Sequence, residues 1–383
     1  MSDANGLCCI ILNYNDADAT IAQVRRAAGM ACFSHIVVVD NASTDGSRGR
    51  LEEVADVCVD GGPWLEAQGD LSETTDESGM GWPPEGDAKP PESGGMEAGQ
   101  AQGTGRVSLV MAPRNGGYGY GNNLGMRFAM GRLHMGYALI VNPDVAFGER
   151  GVRRLRMLFE RHGDLGVASM VNAVQPPGCT PAASRGGAVG VMDEDAVADG
   201  QPLDRMRFRP AIDVCGNGVA PAWPLRPWIW ELADSCPLLR RLCRPCCQYP
   251  ATYFTGKKAV RVDVVPGSLL MVDLEKMTDV GGYDEGLFLY NEEAVLAFRM
   301  WRANYSTRLL LTDGYSHENA GTIKKTFGSA VKRQKLRQES ALYYYKNYLY
   351  IGKVQEAVTK IVHALVLWEV AVYEAARGVL GKV

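Results

Sequence analysis

Four short apolar runs in the first half of the chain each end abruptly in polar residues, with stretches of helical spacing between them. LCCIIL (7–12) stops at Asn13-Tyr14-Asn15, HIVVVD (35–40) at Asp40-Asn41, RVSLVMA (106–112) at Pro113-Arg114, and YALIVN (137–142) at Pro143-Asp144. Consecutive apolar residues of this kind mark strands buried on both faces, as in a parallel sheet. Residues 17–29 and a segment near 122–134 read as helices. Asp45 is expected to cap a further helix, with Gly46 and Ser47 in its first turn. The alternation predicts an α/β fold, a mostly parallel sheet with helices on both faces.

Two stretches break the alternation. Residues 61–105 hold 11 Gly and 5 Pro, no Ile or Val, and PPEGDAKPPESGG at their centre. Little apolar surface is available there to offset the entropy of ordering, so a disordered acidic insertion is expected between the second and third strands. Residues 171–262, rich in Pro, Cys and Trp, lack sustained periodicity and are expected to be irregular. Order returns in VDVVPGSLLMVD (262–273), a strand broken at Pro266-Gly267. GGYDEGLFLYNEEAVLAFRM follows as turn chemistry leading into a helix, and RLLLTDGYSHENAG (308–321) as a strand and then a polar loop holding His317. Beyond a basic, tyrosine-rich stretch, apolar residues at 354, 358, 361, 362, 365, 366, 370 and 372 follow helical spacing. Glu369 and His363 argue against a spanning segment; such an amphipathic helix suits a membrane surface or the protein's own core.

Composition narrows the class. The 383 residues are 46% hydrophobic and 22% charged, an ordinary globular balance. The formal net charge of −4 makes no case for nucleic acid. Residues 61–105 alone carry −8, which leaves about +4 for the rest. MSDANGLCCIILNYN has no basic flank of a secretory signal and runs into a buried strand, so a cytoplasmic location is expected. The ten cysteines form no framework of short, even spacings, and Cys8, Cys9 and Cys32 sit in apolar contexts suited to free thiols. The cluster Cys236, Cys243, Cys246 and Cys247 contains one CxxC but lacks the second pair of a structural zinc site.

The polar strand ends carry the candidate chemistry. Asn142-Pro143-Asp144 terminates its strand, because proline cannot donate a ladder hydrogen bond, and leaves a carboxylate where open α/β sheets place ligands. Gly119, Gly121 and Gly125 give GxGxxxG after the third strand. The dinucleotide fingerprint is GxGxxG directly after the first strand, so a nicotinamide or flavin site is not expected.

In order, VDNASTDGS, NGGYGYGNNLG, NPD and PGSLLMVDLEKMTDVGGYDEGLFLYNEE resemble glycosyltransferase family 2, within it the bacterial rhamnosyltransferase-like members. The resemblance covers residues 7–60, 106–170 and 262–350. It implies a GT-A domain over 1–350, with 171–262 on the acceptor side; the apolar spacing adds an amphipathic helix over 351–383. It implies an inverting transfer, with rhamnose favoured, from a dTDP- or UDP-linked nucleotide-sugar donor to a glycan or lipid-linked acceptor. A divalent cation, Mn2+ or Mg2+, belongs to the same expectation, while contact with the inner face of the cell membrane is expected from the basic stretch and amphipathic helix of the C-terminal region. Galactose, glucose or N-acetylhexosamine stay open as the sugar, and so does the oligomeric state.

Residue roles follow from the match. Asp144 corresponds to the last aspartate of the family's DXD motif, with Asn142 in place of the first, and His317 to a further metal ligand. Tyr14 and Asp40 match positions that hold the donor's base, and Asn15, Asn41 and Asn122 fall in the same donor-binding segments. Arg114 and Asn115, with Gly117 and Gly119 admitting close backbone approach, would line sugar and diphosphate. Glu293 corresponds to the catalytic base, with Glu292 beside it as the alternative, and Asp284 to a structural or acceptor-contacting group. Two rivals stand beside this reading. One is a non-catalytic GT-A module that binds a glycan or partner. The other is a nucleotidyltransferase, for which LNYNDADAT lacks the glycine-rich basic loop.

Overall fold

The computed structural model describes residues 6–62, 106–172, 222–243, 247–317 and 328–380. All but the first two residues of the expected insertion at 61–105, and residues 173–221 and 244–246 of the stretch 171–262, lie outside these residues. In chain order the first elements are β1 (Leu7–Asn13), α1 (Ala17–Ala28), β2 (His35–Asp40), α2 (Ser47–Glu52) and β3 (Val57–Asp60). Next come β4 (Val107–Met111), α3 (Tyr118–Gly131), β5 (Tyr137–Val141), β6 (Val145–Ala146), α4 (Glu149–Arg161) and β7 (Leu165–Asn172). Then follow α5 (Trp228–Ser235), α6 (Pro237–Cys243), β8 (Ala259–Val262), β9 (Leu269–Asp273), α7 (Leu274–Asp279) and α8 (Glu292–Arg302). The last are β10 (Ser306–His317), α9 (Ala330–Asn347) and α10 (Lys353–Leu380).

The chain divides into two compact units, Met1–Pro143 with Val272–Gly286, and Asp144–Met271 with Leu287–Val383. The first unit is the expected parallel sheet, in the order β3-β4-β2-β1-β5. Its middle strands are buried on both faces, which is why their sequences show no alternation. The register sets Asn13 beside Asp40 and Asp40 beside Met111, so the polar segments after β1 and β2 leave the sheet side by side.

Three details depart from the sequence reading. β3 precedes the acidic insertion, which therefore follows the third strand and not the second; as a largely exposed edge strand it lacks the apolar run that announced the others. Helix α3 starts at Tyr118, four residues before the segment read as helical. The glycines that obscured its start are there for packing: a Cβ on Gly121 would lie 2.3 Å from Leu12 of β1, and one on Gly119 2.9 Å from Tyr283. Gly46, at φ 83°, is the residue that caps α2, while Asp45 accepts from the Ser47 N–H at 2.9 Å in a turn of its own.

In the second unit β10 is the hub. It runs parallel to β7 and antiparallel to β8, and its last two residues pair antiparallel with β6. His317 is thus the final residue of a strand, paired with Val145, and not part of a loop. The stretch read as irregular contains helices α5 and α6 among its described residues. The tyrosine-rich stretch is helix α9, whose Tyr344 and Tyr345 are buried against Leu287, Ala294 and Val295. Helix α10 docks by the face that carries Thr359, His363 and Val366. The Trp228 indole N–H donates to the Thr359 hydroxyl at 2.8 Å, and the Gln338 amide to the His363 carbonyl at 2.8 Å. Most of the apolar stripe read from the sequence lies on the opposite, exposed side: Val354, Val358, Ile361, Leu365 and Val372. Among the described residues no helix is long and apolar enough to cross a membrane.

Candidate functional site

In the first unit the ends of β1 and β2 form one polar knot. Asp40 is 1% exposed, yet three donors satisfy its charge. Its Oδ1 accepts from Asn13 Nδ2 at 2.8 Å and from the Ser43 hydroxyl at 2.5 Å, and its Oδ2 accepts from the Ser43 N–H at 3.2 Å. A carboxylate offers about four acceptor sites, and these donors take three of them. The Ser43 hydroxyl in turn accepts from the Asn15 N–H, and the Asn15 side chain bonds both ways with Thr44. Asn15 and Ala42 hold φ of 54° and 56°, left-handed values that let both chains turn out of their strands at once. Tyr14, at the centre of this turn, is half-exposed. Asn13 and Ser43 were not singled out by sequence; a buried asparagine as the last residue of a strand was the available signal.

The Asn41 amide links this knot to the glycine-rich segment. It donates to Asn115 Oδ1 and to the Gly117 carbonyl, each at 3.0 Å, and Asn115 Oδ1 also accepts from the Gly117 N–H. Gly117 itself has φ 93° and ψ −174°, a conformation open to glycine and strained for other residues. Arg114 is exposed and lies 4.8 Å above the Tyr120 ring. Asn122 is fully buried within α3, its amide donating to the Tyr118 carbonyl, and Gly119 is closed over by Tyr283. Asn41 Oδ1 and Asn122 Oδ1 are buried acceptors without a partner among the described residues. Asn142 is half-buried and its carbonyl accepts from Gln23. Asp284 accepts from the Gly286 N–H at 2.8 Å, a turn-shaping contact.

The second unit holds the remaining nominated groups. Asp144 and His317, 173 residues apart, meet with His317 Nε2 3.1 Å from Asp144 Oδ1. Both side chains keep about a fifth of their surface in solvent. The cause is local: Pro143 ends one strand, and Val145 begins the two-residue strand that pairs with Ser316 and His317. Cis ligands of an octahedral ion at 2.0–2.1 Å are about 3 Å apart, so the pair already has the edge length of such a site. One carboxylate oxygen and one imidazole nitrogen suit Mn2+ better than Mg2+. Two ligands are a partial set, and among the described residues no cluster of three or more His, Cys, Asp or Glu could hold a metal.

Glu292 and Glu293 open helix α8 after an unusual entry, with Tyr290 at φ 76° and Asn291 at φ 67°. Left-handed residues of this kind cost of order 1–3 kcal/mol each and persist where surrounding structure holds them. The two carboxyl groups then meet different surroundings. Glu293 is half-buried and accepts from the Gly267 N–H at 3.2 Å. Burial raises its pKa, while that N–H and its own oppose the rise. Glu292 is 4% exposed with Oε1 unpartnered; burial, then the charge of Glu293, pushes its carboxyl up to about 8. Two neighbouring carboxylates disfavour each other's charge, and Glu292, more deeply buried and with an unpartnered oxygen, is the one pushed further toward its protonated form. A Cβ at position 267 would lie 2.9 Å from Glu293 Oε1, so the carboxylate sits in the space that glycine leaves. Next to it the Ser268 and Tyr315 hydroxyls bond at 2.7 Å. Tyr315 and His317 stand two apart on β10, so both point from one face. Tyr315 went unnoticed in the sequence because the later part of 308–321 was read as a polar loop. An open cavity of about 480 Å3, lined by Phe298, Trp301, Arg302, Asn304 and Tyr350, contains none of these groups.

The buried Glu292 has a testable consequence for stability. Its folded pKa lies near 8 against an ordinary 4.5, so the folded chain holds a proton that the unfolded chain releases. The associated stability is complete below about pH 4.5 and declines as pH rises to 8, by roughly 3–5 kcal/mol for a shift of this size. Glu292→Gln, which cannot ionise, is expected to flatten that decline and melt above wild type at pH 8. Urea unfolding between pH 5 and 8.5 checks it; parallel profiles for the two proteins would contradict the assignment.

No family model and no curated protein matches the chain. Solved structures resemble it in outline. One is GalNAc-T7 with UDP, GalNAc and Mn2+, at 12% identity and a TM-score of 0.47, over 83% of this chain and 44% of that one. A second is the mannosyltransferase PcManGT from Pyrobaculum calidifontis with GDP-Man and Mn2+, at 12% and 0.46, over 97% and 75%. A third is S. aureus TarS 1–349 with UDP-GlcNAc, at 10% and 0.40, over 94% and 71%. The chain spans less than half the length of the first of these. A likeness at this level is one of chain outline and says nothing of substrate.

Proposed function

We propose that the chain is an inverting glycosyltransferase of the GT-A type that moves a sugar, rhamnose by preference, from a nucleotide-diphosphate donor to a hydroxyl of a glycan or lipid-linked acceptor. The observation that carries this reading is the meeting of Asp144 and His317, nominated separately as metal ligands and found 3.1 Å apart. A divalent cation bound there would offset the charge that develops on the departing diphosphate. Tyr14 stacks on the donor's base, and the free acceptor site of Asp40 takes its ring N–H. Arg114, Asn115 and the backbone at Gly117 line the sugar and phosphates.

Glu293 is the base. It removes the acceptor hydroxyl's proton as that oxygen bonds to the anomeric carbon and the carbon–phosphate oxygen bond breaks, the electron pair leaving with the nucleoside diphosphate. The Gly267 N–H supports this role by favouring the ionised form of Glu293, and a protonated Glu292 would spare it a second negative charge.

The test is a thermal-shift screen of nucleoside diphosphates and their sugars with Mn2+, followed by donor turnover. A stabilising ligand at 100 times its Kd contributes about 2.7 kcal/mol, enough to move a melting curve. Stabilisation by a nucleotide sugar together with release of nucleoside diphosphate is expected. Stabilisation without turnover would favour the non-catalytic binding module, and no response to any nucleotide would sink the proposal.

A further inference from the structure

Helix α10 is fixed to its own unit on one face and bare on the other. Glu374 accepts from the Ser329 hydroxyl and the backbone N–H groups of Ala330 and Val331 at the start of α9. With the Trp228–Thr359 and Gln338–His363 bonds, this sets which side faces outward. That side carries Val354, Val358, Ile361, Leu365, Trp368 and Val372, separated by four, three, four, three and four residues. Their exposure is high for such residues: 78% for Val354, 63% for Ile361, 62% for Leu365 and 68% for Trp368. Ala357, Ala364 and Ala371 run alongside at intervals of seven, exposed as well. From Val354 to Val372 the strip is about 27 Å long at 1.5 Å per residue.

We infer that this strip is a self-pairing surface, and that two copies of the chain associate through α10 as an antiparallel two-helix coiled coil. Three observations select a second copy as the occupant. The steps alternate between four and three residues, the pattern of positions along a helix seam; a face spread on lipid is broader. The helix carries three basic residues, Lys353, Lys360 and Arg377, against Glu356, Glu369 and Glu374. It therefore lacks the cationic excess by which amphipathic helices hold anionic membranes.

The strip also complements itself under a two-fold axis near His363. Val354 then meets Val372, Val358 meets Trp368, and Ile361 meets Leu365, so the large indole falls opposite a small side chain. A parallel pair would stack the two indoles at one level. In the antiparallel pair the alanine edges face each other and admit close approach. On the other edge Glu369 meets Gln355 of the second copy, with no like charges opposed. Such a contact is isologous and closes at two copies.

Sedimentation equilibrium of the full chain at micromolar concentration should give twice the monomer mass. Ile361→Glu combined with Leu365→Glu should halve that mass with the far-ultraviolet spectrum and melting curve nearly unchanged, because both side chains already face solvent. Orientation is read from single cysteines under mild oxidation, scored above the wild-type background. Ala364→Cys, beside the axis, should give a disulfide-linked dimer, and Ala357→Cys should not. A wild-type monomer would overturn the inference. So would cross-linking through position 357 in place of 364. Binding of the monomer to phosphatidylglycerol vesicles, lost in the double variant, would reassign the strip to membrane.

Discussion

Glu293→Gln is expected to lower kcat by ~10²–10⁴-fold, the usual contribution of a positioned general base, while nucleoside diphosphate affinity stays within a few-fold. The substitution keeps the side chain's length and an oxygen to accept from the Gly267 N–H, so the fold around α8 should hold. What it removes is the capacity to take a proton. Because the base acts on the acceptor, the loss belongs to the chemical step and leaves KM for the donor almost unaltered. Steady-state kinetics on Glu293→Gln and Glu292→Gln in parallel separate the two carboxyls. If Glu292→Gln alone abolishes turnover, the base is the more buried residue and the protonation order argued from Gly267 is reversed.

The second large effect is expected at the strand end that carries Asn142-Pro143-Asp144. Asp144→Asn should lower transfer by about 10³-fold, equivalent to about 4 kcal/mol of transition-state stabilisation. Asparagine preserves shape and one acceptor oxygen but not the negative charge that a hard cation needs. Stability should change by less than about 1 kcal/mol, since the Asp144–His317 contact is partly exposed and such pairs contribute little. Calorimetric titration of Mn2+ in the presence of nucleoside diphosphate should show the loss directly. His317→Ala should weaken Mn2+ more than Mg2+, because imidazole favours the former. Wild-type turnover by Asp144→Asn, with unchanged Mn2+ binding, would remove the metal assignment.

Much of the first unit was legible because its strands are buried on both faces. Burial of that kind favours apolar residues, so apolar runs such as 7–12 and 36–39 declare themselves without any knowledge of neighbours. The polar residues that end each run were equally plain, and so were the motifs that Asp144, His317, Glu292 and Glu293 belong to. The edge strand Val57–Asp60 was not legible, since an exposed strand is under no such compositional demand.

Tertiary structure decided what depends on groups distant in sequence. The start of α3 rests on Leu12 and Tyr283 filling the space beside glycines that by propensity oppose a helix. The difference between Glu292 and Glu293 comes from the deeper burial of Glu292 and from the N–H of Gly267, 26 residues before Glu293, which only Glu293 receives. That Asp144 and His317 form a pair comes from a two-residue ladder between β6 and β10. The sequence by itself determined the helical period of the C-terminal segment, because spacing is a local property. Which side of that helix would be covered was settled by Trp228, Gln338 and the start of α9, and they left the apolar strip outside. Periodicity reports that a face is apolar; only the packed neighbours determine whether that face is the one they bury.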